Sequence, residues 1–392
     1  MEGTCLSHSL FKERRYQLNK DAVQVLNSGH PWLFRTHLSS AAEVFRDGQW
    51  LALYDASNKV VGHGIYAKEG LIGIRLLKRG EHPAGLSWLR KTLEKAWIKR
   101  AEWARINRYE GVRLLHGESD GIPGVVIDQY GKYAVLQTYS SSVDAVGRYC
   151  ARWIAKQQEL EGVLWKFPVK RKNQKKTDRI LFGKAPSAIV FGEGDLKLTV
   201  ELGEGQKSGA FLDLRGLRQW LATQDLKGKR VLNLFSYTGT LGLACEHAGA
   251  KEVWNVDISD GALEAGKKFH AKDSGRFRWI KADVFDWINS LSPEEKFDLI
   301  IVDPPMMASR KEQVPVALRA YKKIYRTVLS HLVPGGRIVG ACCTSRISRK
   351  SFDEEIKKTL GNTMKRKHVI VPEPDHPVGF AEADYLKINI YG

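Results

Sequence analysis

Two adjacent cysteines, Cys342 and Cys343, close an apolar run in "PGGRIVGACCTS". A thiolate is a strong nucleophile, and a pair of thiols at the end of a strand can attack a substrate, pack in a core or oxidise. Oxidation to a vicinal disulfide is disfavoured by strain. Three aspartates share that placement: Asp257 ends "EVWNVD", Asp283 follows "FRWIKA", and Asp303 ends "FDLIIVD". Between the first two runs and the start of the third lie helical patterns. Strand ends carrying carboxylates and a thiol call for one kind of scaffold.

The scaffold is legible in the last 190 or so residues. Near-continuous apolar runs alternate with helical patterns, which predicts a parallel sheet covered on both faces. In such sheets ligands bind beyond the carboxyl ends of the strands. The first strand, "RVLNL", runs into Phe235, Ser236 and Tyr237. Gly239 and Gly242 then open a helix, where the missing side chains let the backbone approach a ligand. Asp257 follows eighteen residues after Gly239, placed to accept both hydroxyls of a ribose. Asp283 is placed to reach an adenine amino group. Each carboxylate could instead cap the following helix. The third glycine and the G-x-G spacing of a dinucleotide site are missing, and "IVDPP" ends the fourth strand. The combination favours S-adenosylmethionine as cofactor over a dinucleotide.

Upstream, residues 1–75 alternate polar and apolar positions between Gly and Asp turns, which predicts a small β-barrel. Leu86, Leu89, Leu93, Ala96, Trp97 and Ala104 recur at helical spacing in the next segment. Strand patterns return from Gly111 to Thr138. The basic run "KFPVKRKNQKKTDR" is either a loop or a phosphate-tracking element. The expected domains are residues 1–75, 76–200 and 201–392.

The chain has 392 residues and a net charge of +18, with 43% hydrophobic and 27% charged residues. Such an excess of Lys and Arg repels itself unless a polyanion balances it, which points to nucleic acid. No apolar run reaches the roughly 20 residues a membrane helix needs, and the N-terminus lacks a signal-peptide pattern. A cytoplasmic location is expected. Five cysteines with no C-x-x-C pair imply reduced thiols and no metal site, with Cys5, Cys150 and Cys245 structural.

Several longer segments resemble one family. "SGHPWLFR" (28–35) is similar to the start of an N-terminal PUA domain, an RNA-binding barrel. "RLLHGESDGIPGVVIDQYGKYAVLQ" (113–137) and "GQKSGAFLDLRGLR" (205–218) are similar to the middle domain and to the entry of the catalytic domain. "LNLFSYTG", "VDIS", "VDPP" and "DHP" look like its later motifs. The chain thereby resembles the bacterial large-subunit ribosomal RNA cytosine-C5 methyltransferases of the RlmI-like family over nearly its whole length. Met306 and Met307 depart from that family's usual residues after the double proline, and Cys342 stands where it carries a serine.

The resemblance implies an α/β protein: a class I, Rossmann-like methyltransferase domain with a PUA β-barrel and a small α+β middle domain. It implies methyl transfer to C5 of a cytidine in 23S rRNA, with Cys343 as nucleophile. C5 of cytosine is itself a poor nucleophile; a thiolate added at C6 makes it carbanion-like. In the strand order of this class, Asp303 and Cys343 flank one pocket, where Asp303 can hydrogen-bond the base and stabilise its protonated form. The target base must leave its stack, so a single-stranded or loop region of RNA is expected. Lys207, Arg215, Arg218, Arg346 and His376 are candidate RNA contacts, and a homodimer is left open. A non-catalytic RNA-binding assembly factor and an amino-group methyltransferase are the alternatives.

Overall fold

A computed structural model describes residues 11–168, 178–202, 210–271, 275–361 and 363–392. The chain forms two compact units. The first comprises Met1–Gly192, Val200–Leu212 and Pro374–Phe380, and the second Glu193–Thr199, Asp213–Glu373 and Ala381–Gly392.

In the first unit, β1 (Arg14–Gln17), α1 (Lys20–Asn27), β2 (Trp32–Phe34), β3 (Trp50–Tyr54), β4 (Val60–Tyr66) and β5 (Ile72–Arg79) build a five-stranded sheet of order β1-β3-β4-β5-β2. Asn19 caps α1, its side chain accepting from Ala22 N at 2.8 Å. Ala22 and Leu26 then face a core of Tyr16, Leu33, Leu51, Leu53 and Ile74.

A second sheet in this unit, β10-β9-β8-β7-β6, comes from β6 (Gly111–His116), β7 (Val125–Tyr130), β8 (Tyr133–Thr138), β9 (Gly162–Lys166) and β10 (Arg179–Gly183). It packs with α2 (Leu86–Asn107) and α3 (Asp144–Gln157). Leu89, Leu93, Ala96 and Ala104 give α2 its buried stripe, as the periodicity predicts. Arg100 lies in the same stripe, 1% exposed, with its guanidinium on both oxygens of Asp120 at 2.9 and 2.8 Å. β11 (Ala188–Glu193) and β12 (Leu196–Glu201) pair as a two-stranded sheet whose Glu193–Thr199 portion belongs to the second unit.

The second unit is the layered α/β body the pattern predicts. After α4 (Arg215–Ala222), the chain alternates β13 (Arg230–Leu234), α5 (Thr240–His247), β14 (Glu252–Asp257), α6 (Asp260–His270), β15 (Phe277–Lys281), α7 (Val284–Ser290), β16 (Phe297–Val302), α8 (Val314–Leu329), β17 (Leu332–Cys342), α9 (Arg349–Leu360), β18 (Arg366–Ile370) and β19 (Lys387–Tyr391). The sheet order is β15-β14-β13-β16-β17-β19-β18. The first five strands are parallel and β19 runs antiparallel to both neighbours. Strand order reverses between β13 and β16, so the ligand crevice of a doubly wound sheet falls there.

Two glycines hold the layers at this crevice. A methyl on Gly242 would stand 2.5 Å from Asn255 Oδ1, and one on Gly239 would stand 2.6 Å from the Trp279 ring. Asn233 and Asn255, paired across β13 and β14, share a buried amide hydrogen bond of 2.8 Å. Among the described residues, no helix is long and apolar enough to cross a membrane.

Candidate active site

Five parallel strands bring their carboxyl ends to one edge, and Phe235, Ser236, Tyr237, Asp257, Asp283, Asp303 and Cys343 end or follow those strands. The turn after β13 is strained: Phe235 (φ 58°) and Tyr237 (φ 51°) both adopt the left-handed region, and Gly239 (φ 73°) completes it. Non-glycine residues held there cost about 1–3 kcal/mol each and cluster at ligand clamps. The Asp257 carboxylate holds this turn. One oxygen accepts from Tyr237 N and the other from Ser259 N, both at 2.8 Å. A carboxylate has about four lone-pair sites, so acceptor capacity remains for a ligand. Ser236 is buried with a hydroxyl that lacks a partner. Phe235 meets Phe285 edge-on with centroids 5.4 Å apart.

Asp283 is the N-cap of α7, accepting from Phe285 N at 2.8 Å, and it stays exposed. The capping alternative is therefore realised for Asp283, whereas Ser259 and not Asp257 caps α6. Ile258 is an apolar side chain 67% exposed beside Asp257. Sequence reading passed over it because the run "VDIS" gives no sign that Ile258 turns outward.

The two cysteines part company at the end of β17. Cys342 is fully buried in a core with Tyr321, Tyr325 and Phe352. Cys343, one residue on, is half-buried, and its thiol donates to Pro304 O at 3.5 Å. Successive strand residues face opposite ways, so only one of a vicinal pair can face the crevice. Thr344 Oγ1 accepts from Met307 N at 3.2 Å, which ties the Cys343 turn to the loop behind Asp303. Met307 packs against the core, and Met306 is 58% exposed. Below, burial pushes the phenols of Tyr321 and Tyr325 well up, so both stay protonated. Burial does the same to Cys150 and Cys245, which are inert core thiols.

Lys387 was also missed. This lysine, 1% exposed, opens β19 opposite Cys342, and its ammonium donates to Thr344 O at 2.8 Å and Tyr385 O at 3.0 Å. Inside "YLKINIY" a lysine reads as an edge residue, and only the pairing register places it here.

Three of the candidate RNA contacts are corrected. Arg215 and Arg218 are fully buried: Arg218 grips Glu193 at 2.7 and 2.6 Å, and Arg215 donates to Glu373 at 3.0 Å. They are internal ion pairs because cations on a buried helix face need carboxylate partners. His376 belongs to the first unit, 5% exposed, with Nδ1 on Asp375 at 2.9 Å and its ring against His116 at 5.3 Å. None of the three presents a charge to phosphate. Arg346 is exposed three residues beyond Cys343. Lys207 and most of the basic run lie outside the described residues.

A seven-stranded sheet of this order, with a strained glycine turn and an acid ending the second strand, defines a class I methyltransferase domain. The profile of the S-adenosylmethionine-dependent methyltransferases matches residues 169–375, and that of a PUA-like domain matches residues 17–79. A ribosomal RNA large subunit methyltransferase of Deinococcus radiodurans is 30% identical, covering 95% of this chain and 96% of its own. Ribosomal RNA large subunit methyltransferase I of Vibrio cholerae is also 30% identical, over 94% and 97%. A methyltransferase solved with S-adenosylhomocysteine shares the fold, with a TM-score of 0.82 at 24% identity over 96% of this chain and 99% of that one. The chain belongs to the S-adenosylmethionine-dependent methyltransferases and, within them, to the family of ribosomal RNA large subunit methyltransferase I. Its cofactor is S-adenosylmethionine. The turn at Phe235–Gly239 and the Asp257 carboxylate suit a group that needs close backbone approach and a hydroxyl acceptor.

Proposed function

We propose that the protein methylates C5 of a cytosine in large-subunit (23S) ribosomal RNA, through a covalent adduct between Cys343 and C6 of the base. The observation that carries this reading is the half-buried thiol of Cys343 on Pro304 O, beside Asp303, at the ligand edge of the sheet. A methyltransferase acting on an amino group would have no task for it. The names of the relatives supply the substrate class, and the net charge of +18 suits a polyanion.

Asp257 would hold the ribose hydroxyls, and Phe235, Ser236, Tyr237 and Gly239 would line the cofactor's other edge. Asp283 and the exposed Ile258 would meet the adenine, one with a carboxylate and one with apolar surface. Asp303 would hydrogen-bond the amino and ring-nitrogen edge of cytosine, and Arg346 would meet an RNA phosphate. The Cys343 thiolate forms a carbon–sulfur bond to C6, and the C5–C6 π electrons move to C5. When bound, the cofactor would supply a methyl group on a sulfonium: the electron pair at C5 would form the new carbon–carbon bond to that methyl, and the sulfur would keep the electrons of the bond broken, giving S-adenosylhomocysteine. Water takes the C5 proton, and the pair it leaves re-forms the double bond as the thiolate departs.

The test is tritiated methyl transfer into undermodified ribosomal RNA, with nucleoside analysis of the product. Cys343→Ala should abolish 5-methylcytidine while S-adenosylhomocysteine binding survives. RNA carrying 5-fluorocytidine should leave a covalent adduct on Cys343, because fluorine cannot depart as the proton does. Full activity of the variant, or label on an amino group, refutes the reading.

A further inference from the structure

We propose that the β18 edge of the second unit, with Trp220 beside it, is a docking surface for ribosomal RNA that holds phosphates on Lys365 and Lys367 and stacks a base on His368. The proposal rests on ribosomal RNA being the substrate and not on the cytosine chemistry. Between Glu355 and Glu373 the chain carries five Lys and Arg residues and no Asp or Glu. Lys365, Arg366, Lys367 and His368, consecutive in that stretch, are all exposed, and β18 is the outermost strand of the seven-stranded sheet. Arg366 is matched by Asp353 of α9 at 2.8 Å, and Glu373 is taken by Arg215. Among the described residues, Lys365 and Lys367 have no carboxylate partner.

A bulge spreads these side chains around the edge. Arg366 pairs with Tyr391 and His368 with Ile390, so three residues of β18 stand against two of β19. In a regular strand Arg366 and His368 would share a face. The extra residue sends Arg366 to Asp353 of α9 and His368 to Trp220 of α4. The imidazole and indole planes lie 14° apart with centroids at 6.2 Å; the first ring is exposed and the second half-buried. The Arg337 guanidinium sits over the same indole at 5.6 Å and donates to Gln224 at 2.7 Å. Lys365 exchanges two backbone hydrogen bonds with Gly392, and a methyl on Gly392 would stand 3.2 Å from the Arg337 stem and 3.8 Å from that of Lys367. Three cations thus gather at one residue beside near-parallel aromatic rings. Charges that track a backbone, next to rings that receive a base, are how proteins hold single-stranded nucleic acid. Lysines alone would suffice to guard a sheet edge against pairing, but that role leaves the rings and Arg337 without a task. Tyr391 also pairs with Ile338, and Lys387 with Cys342, so the surface lies four residues, about 13 Å, down the sheet from Cys342.

The experiment measures equilibrium binding of undermodified ribosomal RNA to the full chain by filter binding across salt concentrations. Each phosphate contact on a single strand contributes about 0.7 to the slope of log affinity against log salt. Lys365→Gln with Lys367→Gln should therefore lower that slope by about 1.4, or about twentyfold in affinity at 0.1 M salt with the two lines meeting at 1 M. Lys365→Arg with Lys367→Arg keeps both charges and should keep the native slope. His368→Ala should weaken RNA binding about fivefold, the low end of the worth of one stacked base, with the slope unchanged. It should leave the affinity for inorganic polyphosphate, which has no bases, as it was. A native slope in the Gln variant overturns the proposal. So does self-association of that variant on size exclusion with RNA binding unchanged, the result expected of lysines that only guard an edge. Equal weakening for polyphosphate in His368→Ala overturns the stacked base. Binding is read without turnover, so failure of the cytosine chemistry and failure of this surface are told apart. Circular dichroism and S-adenosylhomocysteine binding check that each variant is folded.

Discussion

Gly242→Ala tests how closely α5 must lie on β14 for the cofactor turn to form. An alanine in a helix is favoured over glycine by about 1 kcal/mol, so on propensity alone the substitution stabilises. Packing says the opposite. The new methyl would stand 2.5 Å from Asn255 Oδ1 and 3.0 Å from Val253 Cγ1, and Asn255 is fully buried. Overpacking of that kind costs about 1–3 kcal/mol. Moving the Asn255 oxygen also breaks its 2.8 Å bond from Asn233 Nδ2, and a buried amide left unpaired costs about 1–3 kcal/mol more. Midpoints of these terms leave a net loss of about 3 kcal/mol, or about a hundredfold in an opening equilibrium. Hydrogen exchange of β14 amides followed by mass spectrometry reads that opening directly. Peptides from Glu252 to Asp257 should exchange about a hundredfold faster in the variant. Asn255→Ala removes the colliding oxygen, so the double variant should be less destabilised than the sum of the singles, by about 2 kcal/mol. Unchanged or stronger protection in Gly242→Ala refutes the argument, as does additivity of the pair within about 0.5 kcal/mol.

Asp257→Ala removes the acceptor for two backbone amides and frees a turn with two left-handed residues. S-adenosylhomocysteine affinity by calorimetry should fall by about ten- to a hundredfold, the worth of one hydrogen bond to a charged group. Native affinity would remove Asp257 from the cofactor site. In the first unit, burial and then Arg113 push His116 down to about 2. The unfolded chain binds that proton near pH 6.5 and the folded one does not, so this contribution is complete above pH 6.5 and is lost as pH falls toward 2. Its limiting slope is about 1.4 kcal/mol per pH unit. The urea midpoint should fall less steeply between pH 6.5 and 4.5 in His116→Gln than in the native chain; equal slopes count against a buried neutral imidazole.

The second unit was legible because its strands are buried on both faces: runs such as Phe297–Val302 leave no other reading, and helices between them force parallel order. Legibility ended where a side chain's fate depends on a distant partner. Arg215 and Arg218 read as cationic surface because their counter-charges, Glu193 and Glu373, lie 25 and 158 residues away. Arg100 occupies a core position of α2 for the same reason, with Asp120 as its partner. His376 sits in "DHP", which suggests a turn, yet Asp375 also accepts from Arg113 N at 3.1 Å and draws the segment into the first unit. Local pattern carries no information about such pairs. Cys343 was readable from its motif, but Lys387, which donates to Thr344 O, was not, since β19 is antiparallel and its register is set by the sheet.

The closed packing of Cys342 and the opening at Cys343 are one consequence of that register. Were β17 one residue out of step against β16 and β19, Cys342 would face the crevice, and Lys387 would lie beside a different peptide. The pairing of Val302 with Gly340 and of Cys342 with Lys387 fixes the phase from both sides. Gly340 is required in that register because any side chain there would overlap the Tyr325 hydroxyl, which lies against it on α8. A methyl at position 340 must therefore push the Tyr325 ring aside, displace α8 or slip β17, and either of the last two movements carries Cys343 away from Pro304. Gly340→Ala should slow alkylation of Cys343 or expose Cys342 to it, with the cofactor turn at Phe235–Gly239 untouched, because that turn hangs from β13 and Asp257. Concurrent loss of S-adenosylhomocysteine binding would show that the two halves of the site are not positioned independently.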